Sequence, residues 1–206
     1  MKRIFQSLAV VAGVLVVVNA RASLDIPDGS TVGAVSTIDV SGLSGTISSL
    51  SLTLDISGGN NGDLYAYLSY DGTVVTLLNR PGTSPSNPLG FTDSGYNVTV
   101  QDGSATSLNG ATGGSPVTGT YYAADGSSAL GNAYDGLSGN GVWTLFIADL
   151  SGGDGSDPQL DGFTLSINGT PVPEPVTTAL IVFGILGVTA QLTVWSLRKK
   201  TALQKV

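Results

Sequence analysis

Short segments of residues 30–170, set between turn clusters, alternate apolar and polar positions with a period of two. Leu50, Leu52, Leu54 and Ile56 are separated by Ser51, Thr53 and Asp55. In a strand that spacing sends one set of side chains to a core and the other to water. Leu64, Ala66, Leu68 and Tyr70 repeat the pattern after the turn cluster Gly58-Gly59-Asn60-Asn61-Gly62. Asp71-Gly72 then predicts a two-residue hairpin into a strand over residues 74–78. Further strands are predicted over residues 32–40, 97–101, 119–124, 142–149 and 163–167, about eight in all. No stretch between them sustains a helical period. Residues 81–88, with three prolines, and the Gly/Ser/Asn-rich stretches 103–116 and 124–140 read as loops, and 151–158 as a hairpin connection. The expectation is an all-β sandwich or barrel. Repeated Gly and Asp show no fixed period, which excludes a repeat solenoid.

Both ends break this pattern. Residues 176–197 carry no charge, and Arg198-Lys199-Lys200 follows them. As a helix, 22 residues reach about 33 Å at about 1.5 Å per residue, enough for a bilayer core of about 30 Å. The basic cluster predicts a cytoplasmic end, with everything before Pro173 facing outward. At the start, Lys2-Arg3 precedes an apolar run over residues 8–18, and Ala20-Arg21-Ala22 offers small residues at the two positions a signal peptidase reads. Cleavage after Ala22 would leave Ser23 first. The organisation expected is a signal peptide (1–22), one domain (23–172) and a tail (173–206). Neither hydrophobic end enters the expected fold.

Pro173-Glu174-Pro175, the hydrophobic span and the basic Arg198, Lys199 and Lys200 together resemble the PEP-CTERM sorting signal of Gram-negative bacteria. The resemblance implies recognition by an exosortase, removal of the span, and delivery to the cell surface or extracellular matrix. The membrane would hold only an intermediate.

Charge changes the picture of the middle domain. Residues 23–172 hold fourteen aspartates and one basic residue, Arg80, a net of −13 that the whole-chain value of −7 conceals. Such a surface repels phosphate backbones and anionic lipid, which argues against nucleic-acid binding. Neither cysteine nor histidine occurs. Thiol nucleophiles, disulfides, a Ser-His-Asp triad and histidine-held zinc or iron are therefore excluded. No Gly-rich stretch leads into Lys and a helix, so there is no phosphate loop. The chain is expected not to be an enzyme.

A second resemblance covers residues 47–167. Gly62-Asp63-Leu64, Leu68, Asp71-Gly72-Thr73 and Val75-Thr76-Leu77 occur in the order found in the P domain (P/Homo B) of proprotein convertases. Gly139-Asn140-Gly141-Val142-Trp143-Thr144-Leu145, Ile147 and Asp149 are similar to its most specific segment. Asp154 and residues 160–167 are similar to its last strand. Phe163 stands where the family often has Trp, and Ser69-Tyr70 replaces its Ser-Pro. The resemblance implies a jelly-roll-type β-sandwich, and calcium among acids at strand ends.

Calcium takes six to eight oxygen ligands, which Asp in Gly/Asn/Ser loops supplies. Asp63, Asp102, Asp149 and Asp154 are the candidates. The competing reading is that each bends or caps the chain through its own backbone. Tyr65 and Tyr67 share one strand face, and with Tyr121, Tyr122 and Tyr134 would make a sugar-stacking surface; tyrosine is also an ordinary strand former. Trp143 is expected in the core. The reading ranked first is a structural or adhesive surface protein of an exopolysaccharide-rich envelope. The alternatives are a carbohydrate-binding module and an accessory subunit of a separate subtilisin-like protease.

Overall fold

A computed structural model describes residues 14–21, 23–153, 157–170, 185–186 and 191. The chain divides into two compact units, Met1–Pro171 and Val172–Val206. In the second unit Ile185, Leu186 and Gln191 are helical. Among the described residues no helix is long and apolar enough to cross a membrane. Most of the expected span 176–197 lies outside the described residues. So do the sorting residues Pro173, Glu174, Pro175, Arg198, Lys199 and Lys200, and Ala22 at the expected cleavage point.

The first unit is all-β. Its elements are β1 (Val14–Ala20), β2 (Leu24–Asp25), β3 (Ala34–Val40), β4 (Thr46–Ser57), β5 (Leu64–Tyr70), β6 (Thr73–Asn79), β7 (Tyr96–Gln101), β8 (Val117–Tyr121), the short helix α1 (Ala129–Tyr134), β9 (Gly141–Asp149) and β10 (Gln159–Thr170). One sheet runs β1-β10-β4-β7-β8, with β2 also on β10; the other runs β3-β9-β5-β6. Among the named strands of the described residues, β7 and β8 alone pair in parallel. The strands β3 to β10 correspond to the eight expected from alternation.

The alternating residues become the core. Leu50, Leu52, Leu54 and Ile56 of β4, Val98 and Val100 of β7, and Leu165 and Ile167 of β10 come from the first sheet. Leu64, Ala66 and Leu68 of β5, and Trp143, Leu145 and Ile147 of β9, come from the second. At about 25 cal/mol per Å² of apolar surface removed from water, this shared core is the main favourable term in folding. Asp71 (φ +49°) and Gly72 (φ +76°) make the two-residue turn between Tyr70 and Thr73, which face each other in the register. Both positive φ values are what the tight hairpin connection requires.

Trp143 is fully buried between two tyrosines. Its ring stacks on Tyr70 at 4.1 Å and 7°, and meets Tyr134 edge-on at 5.0 Å and 66°. All three polar tips are paired: Trp143 Nε1 donates to Gly139 O (3.0 Å), Tyr70 to Asn140 O (2.8 Å) and Tyr134 to Leu68 O (2.7 Å). Buried aromatics need such partners, or the desolvation of N–H and O–H offsets the gain from the ring. Tyr134 arrives on α1 within a stretch expected to be loop. Leu130 and Tyr134, four apart, are its two buried residues. A six-residue helix with one such pair is too short to leave a periodic signal.

Asparagine side chains stitch together the segments that flank the strands in a recurring way. Asn61 donates from Nδ2 to Gly95 O (3.1 Å) and accepts at Oδ1 from Gly95 N (2.9 Å). Asn109 does the same to Asn79, and Asn140 to Leu43, with distances of 2.7–3.2 Å. A carboxamide carries the donor and acceptor of a peptide group, so each side chain acts as one residue of an extra strand.

The first strand departs from expectation. Val14–Ala20, read as part of a signal peptide apart from the fold, pairs antiparallel with β10 from Val14↔Gly169 to Ala20↔Phe163. Val14, Val16, Val18 and Ala20 pack on the core, while Leu15 and Val17 are exposed. A run of valines serves a strand as well as a leader, since β-branched side chains suit a pleated, half-buried surface.

Candidate functional site

Asp63 and Asp149 lie together at one end of the second sheet. Asp63 closes a 3-10 turn (Asn61–Asp63) and immediately precedes β5; Asp149 ends β9. Leu64 faces Asp149 in the β5–β9 register, and Leu150 N donates to Asp63 O at 2.9 Å. Both residues are buried, Asp149 completely. Asp149 Oδ1 accepts from Ser151 N (3.0 Å), while its carbonyl accepts from Ser30 N (2.8 Å).

Arg80, the single cation of residues 23–172, is directed at this end. Its Nη2 stands 3.5 Å from Asp63 Oδ1, and it reaches the carbonyls of Gly62 and Pro88 at 3.4 Å. Its backbone is left-handed (φ +48°), a conformation uncommon outside Gly and Asn. The Asp63 carboxylate is the buried member of the pair and Arg80 the partly exposed one. Gly62 packs so closely below them that a Cβ there would fall 2.2 Å from Leu89 O.

Asp102 belongs elsewhere. At the end of the β7 strand it accepts from Leu130 N (3.2 Å) and Gly131 N (2.6 Å), the free amides at the start of α1. That is capping chemistry supplied from a distant part of the chain. Asp135 lies close by across Gly131. Burial, and then the charge of Asp102, push the Asp135 carboxyl above its usual range. The two border a depression of about 400 Å³ with Ser48, Ser49, Ser51, Gln101 and Asn168. Asp154, the fourth candidate, lies outside the described residues. Among the described residues no three acidic side chains gather to hold a metal. Asp63 and Asp149 are the two candidates that the fold brings to one place, and their oxygens suit a hard cation.

Asp93 was not singled out from sequence. It accepts from the Thr112 hydroxyl (2.5 Å), Gly113 N (2.8 Å) and Gly114 N (3.0 Å). Burial pushes its carboxyl upward, but these bonds prevail and hold it below the ordinary range. It serves as the local clasp of the 112–114 loop.

The tyrosines separate in the same way. Tyr65 and Tyr67 point outward from β5 and are half-buried. Tyr67 stacks on Phe146 of β9 at 4.9 Å and 16°, and Tyr65 meets Tyr67 edge-on at 6.3 Å. Val35 follows Phe146 in the register, so the row crosses three strands. Phe146 was missed because its neighbours Leu145 and Ile147 dominate the apolar pattern of β9. Tyr134 is fully buried and leaves the candidate surface, and the Tyr121 hydroxyl is turned back to Thr118 O (3.0 Å).

The first unit is thus an all-β domain of two sheets, with an acidic end on one sheet and an aromatic row across that sheet's outer face. No protein-family model and no curated protein matches the chain. Among solved structures it is similar to the serine protease of Aeromonas sobria in complex with its chaperone ORF2. That match has 15% identity and a TM-score of 0.48, and covers 78% of this chain and 28% of that one. The same protease crystallised by itself is similar at 17% identity and a TM-score of 0.47, over 80% of this chain and 28% of that one. The chain therefore spans under a third of the protease's length.

Proposed function

We propose that this chain is a non-catalytic, exported protein of a Gram-negative cell surface or matrix. Its two-sheet domain, of jelly-roll type, is delivered by exosortase processing and plays a structural or adhesive part in an exopolysaccharide-rich envelope. The observation that carries the reading is where the chain divides. The first unit ends at Pro171, two residues before Pro173-Glu174-Pro175, and the uncharged span and basic cluster fall in the second. Deleting Pro173–Pro175 is expected to leave the chain in the membrane fraction. Normal release of that variant would overturn the reading.

Calcium is the cation proposed for the acidic end. Asp63 and Asp149 supply carboxylate oxygen, and the chain has neither thiol nor imidazole to favour a softer metal. Binding to the folded state alone would add about 2.7 kcal/mol at a hundredfold excess over Kd. Thermal unfolding of the exported chain should shift upward with calcium and back with chelator, and Asp149→Asn should abolish the shift. An equal loss of stability for Asp149→Asn in chelator would assign Asp149 to hydrogen bonding instead.

The row of Tyr65, Tyr67, Phe146 and Val35 favours a second reading, a module that binds neutral sugars through that face. Retarded migration in gels containing exopolysaccharide, lost in Tyr67→Ala, would support it.

A further inference from the structure

Strand β10 has two sides. Along one it pairs with β4 from Gln159↔Ser57 to Thr170↔Thr46. Along the other it carries β1 on Phe163–Gly169 and β2 on Gln159 and Leu160. The two short partners are separated by residues 21–23, where the expected cleavage falls. Cutting after Ala22 leaves β2 attached and removes β1. Seven residues of β10 then lose their partner, and Leu165 and Ile167, fully buried here, lose the cover of Val14, Val16 and Val18.

The remaining sheet edges are guarded. Strand β6 is met by the 109 and 124–125 loops: Thr76 N donates to Asp125 Oδ2 (2.6 Å), Asn79 N to Asn109 Oδ1 (2.8 Å) and Ala124 N to Leu77 O (3.1 Å). Strand β8 has five residues, and the Tyr121 side chain folds back along it. Strand β3 carries the exposed Asp39. Charges, short length and covering loops are the usual defences of an edge. Residues 162–170 of β10 have none of them, and neither charge nor proline.

We infer that the β10 edge, covered by the leader in the precursor, pairs with the β10 of a second copy once the leader is gone. The inference rests on the export reading above. Antiparallel pairing over the vacated interval puts Ser166 on a two-fold axis, with Leu165 facing Ile167 of the other copy and Thr164 facing its Asn168. Residues opposite one another in an antiparallel pair share a face. Apolar side chains therefore continue the core side, and hydroxyls and amides the outer side. Each new backbone bond is made twice by symmetry. Gly162 and Gly169, without side chains, leave the ends open; a Cβ on Gly162 would fall 2.7 Å from Ala20 O of the present occupant.

The test uses the exported protein purified from cells, with its N-terminus read by mass spectrometry. The expected result is a chain beginning at Ser23 that scatters light as a dimer. Ser166→Cys, in a protein without native cysteine, should form an intermolecular disulfide on oxidation; Thr144→Cys, on the outer face of the other sheet, should not. Ser166→Asp places like charges opposite each other on the axis. It should convert the dimer to monomer with its melting transition retained. A monomer beginning at Ser23, or a dimer that ignores Ser166→Asp and fails to cross-link through Ser166→Cys, would refute the pairing. Another exported polypeptide held on this edge would refute the second copy as its occupant. A chain that still contains residues 14–20 would refute the export reading instead, since the edge then keeps its own strand.

Discussion

Replacing Tyr96 with Phe should make this protein more stable. Tyr96 opens the β7 strand, pairs with Ile56 and Val117, and is fully buried. Among the described residues its hydroxyl has no hydrogen-bond partner. A buried polar group left without a partner costs about 1–3 kcal/mol, whereas the ring contacts are the same in Phe. The expected gain is about 1–2 kcal/mol, or about 3–6 °C in Tm for a domain of this size. Urea unfolding should show a higher midpoint at unchanged slope, because the surface exposed on unfolding hardly changes. Alkaline pH supplies an independent signature. Burial, then the charges of Asp93 and Tyr121, push the Tyr96 hydroxyl well above its ordinary pKa. Above about pH 10 the unfolded chain releases this proton and the folded chain keeps it, so stability falls as pH rises. Tyr96→Phe should reduce that fall. Tyr134 is pushed up by burial as well, so part of it should persist. A Tyr96→Phe protein less stable than the parent at neutral pH would show that the hydroxyl makes a bond worth more than its desolvation, and the reasoning would fail.

Trp143→Leu removes the stack on Tyr70 and the bond to Gly139 O, and should cost about 3–5 kcal/mol by urea unfolding. Asp102→Ala leaves two amides of α1 without their partner and should cost about 1–2 kcal/mol, with hydrogen exchange accelerated at Leu130 and Gly131. Gly62→Ala drives a methyl group into the backbone of residues 89–91, which cannot yield as a side chain would. A loss of about 3 kcal/mol is expected, read as a fall in Tm and in soluble yield. The bonds that hold Asp93 below the ordinary carboxyl range contribute stability above that range and lose it as pH falls through the lowered value. Asp93→Asn should therefore flatten the acid limb of the stability curve.

The strands were legible because burial on one side of a sheet forces a period of two, and β4 and β5 display it without interruption. The Asp71-Gly72 turn was legible for a local reason, since two adjacent positive φ values limit the residues that fit. Helix α1 was hidden because its stability comes from Asp102, 28 residues upstream of Leu130, and no local pattern reports a distant cap. The pairing of β1 was not legible because valine runs suit leaders and strands alike, and the sequence of residues 14–20 does not name a partner. Asp63 and Asp149 could be picked as acids at strand ends, but not as neighbours. Their approach depends on the β5–β9 register across 85 intervening residues.

The paired asparagines also bear on how this protein ages. Asn61, Asn109, Asn140 and Asn168 are each followed by glycine, the sequence in which an asparagine most readily loses its amide through attack by the next backbone nitrogen. The fold restrains both reactants. The carboxamides of Asn61, Asn109 and Asn140 are held at both ends, and the amides of Gly62 and Gly110 donate to Phe91 O (2.8 Å) and Ser107 O (3.0 Å). Conversion to aspartate would also remove the donor, so each stitch would lose half its bonding and meet an acceptor with a negative charge. On the export reading proposed above, no resynthesis would replace the chain in place. Its folded state thus acts as a chemical preservative, and the aspartate accumulated at these positions would record how long each molecule has spent unfolded.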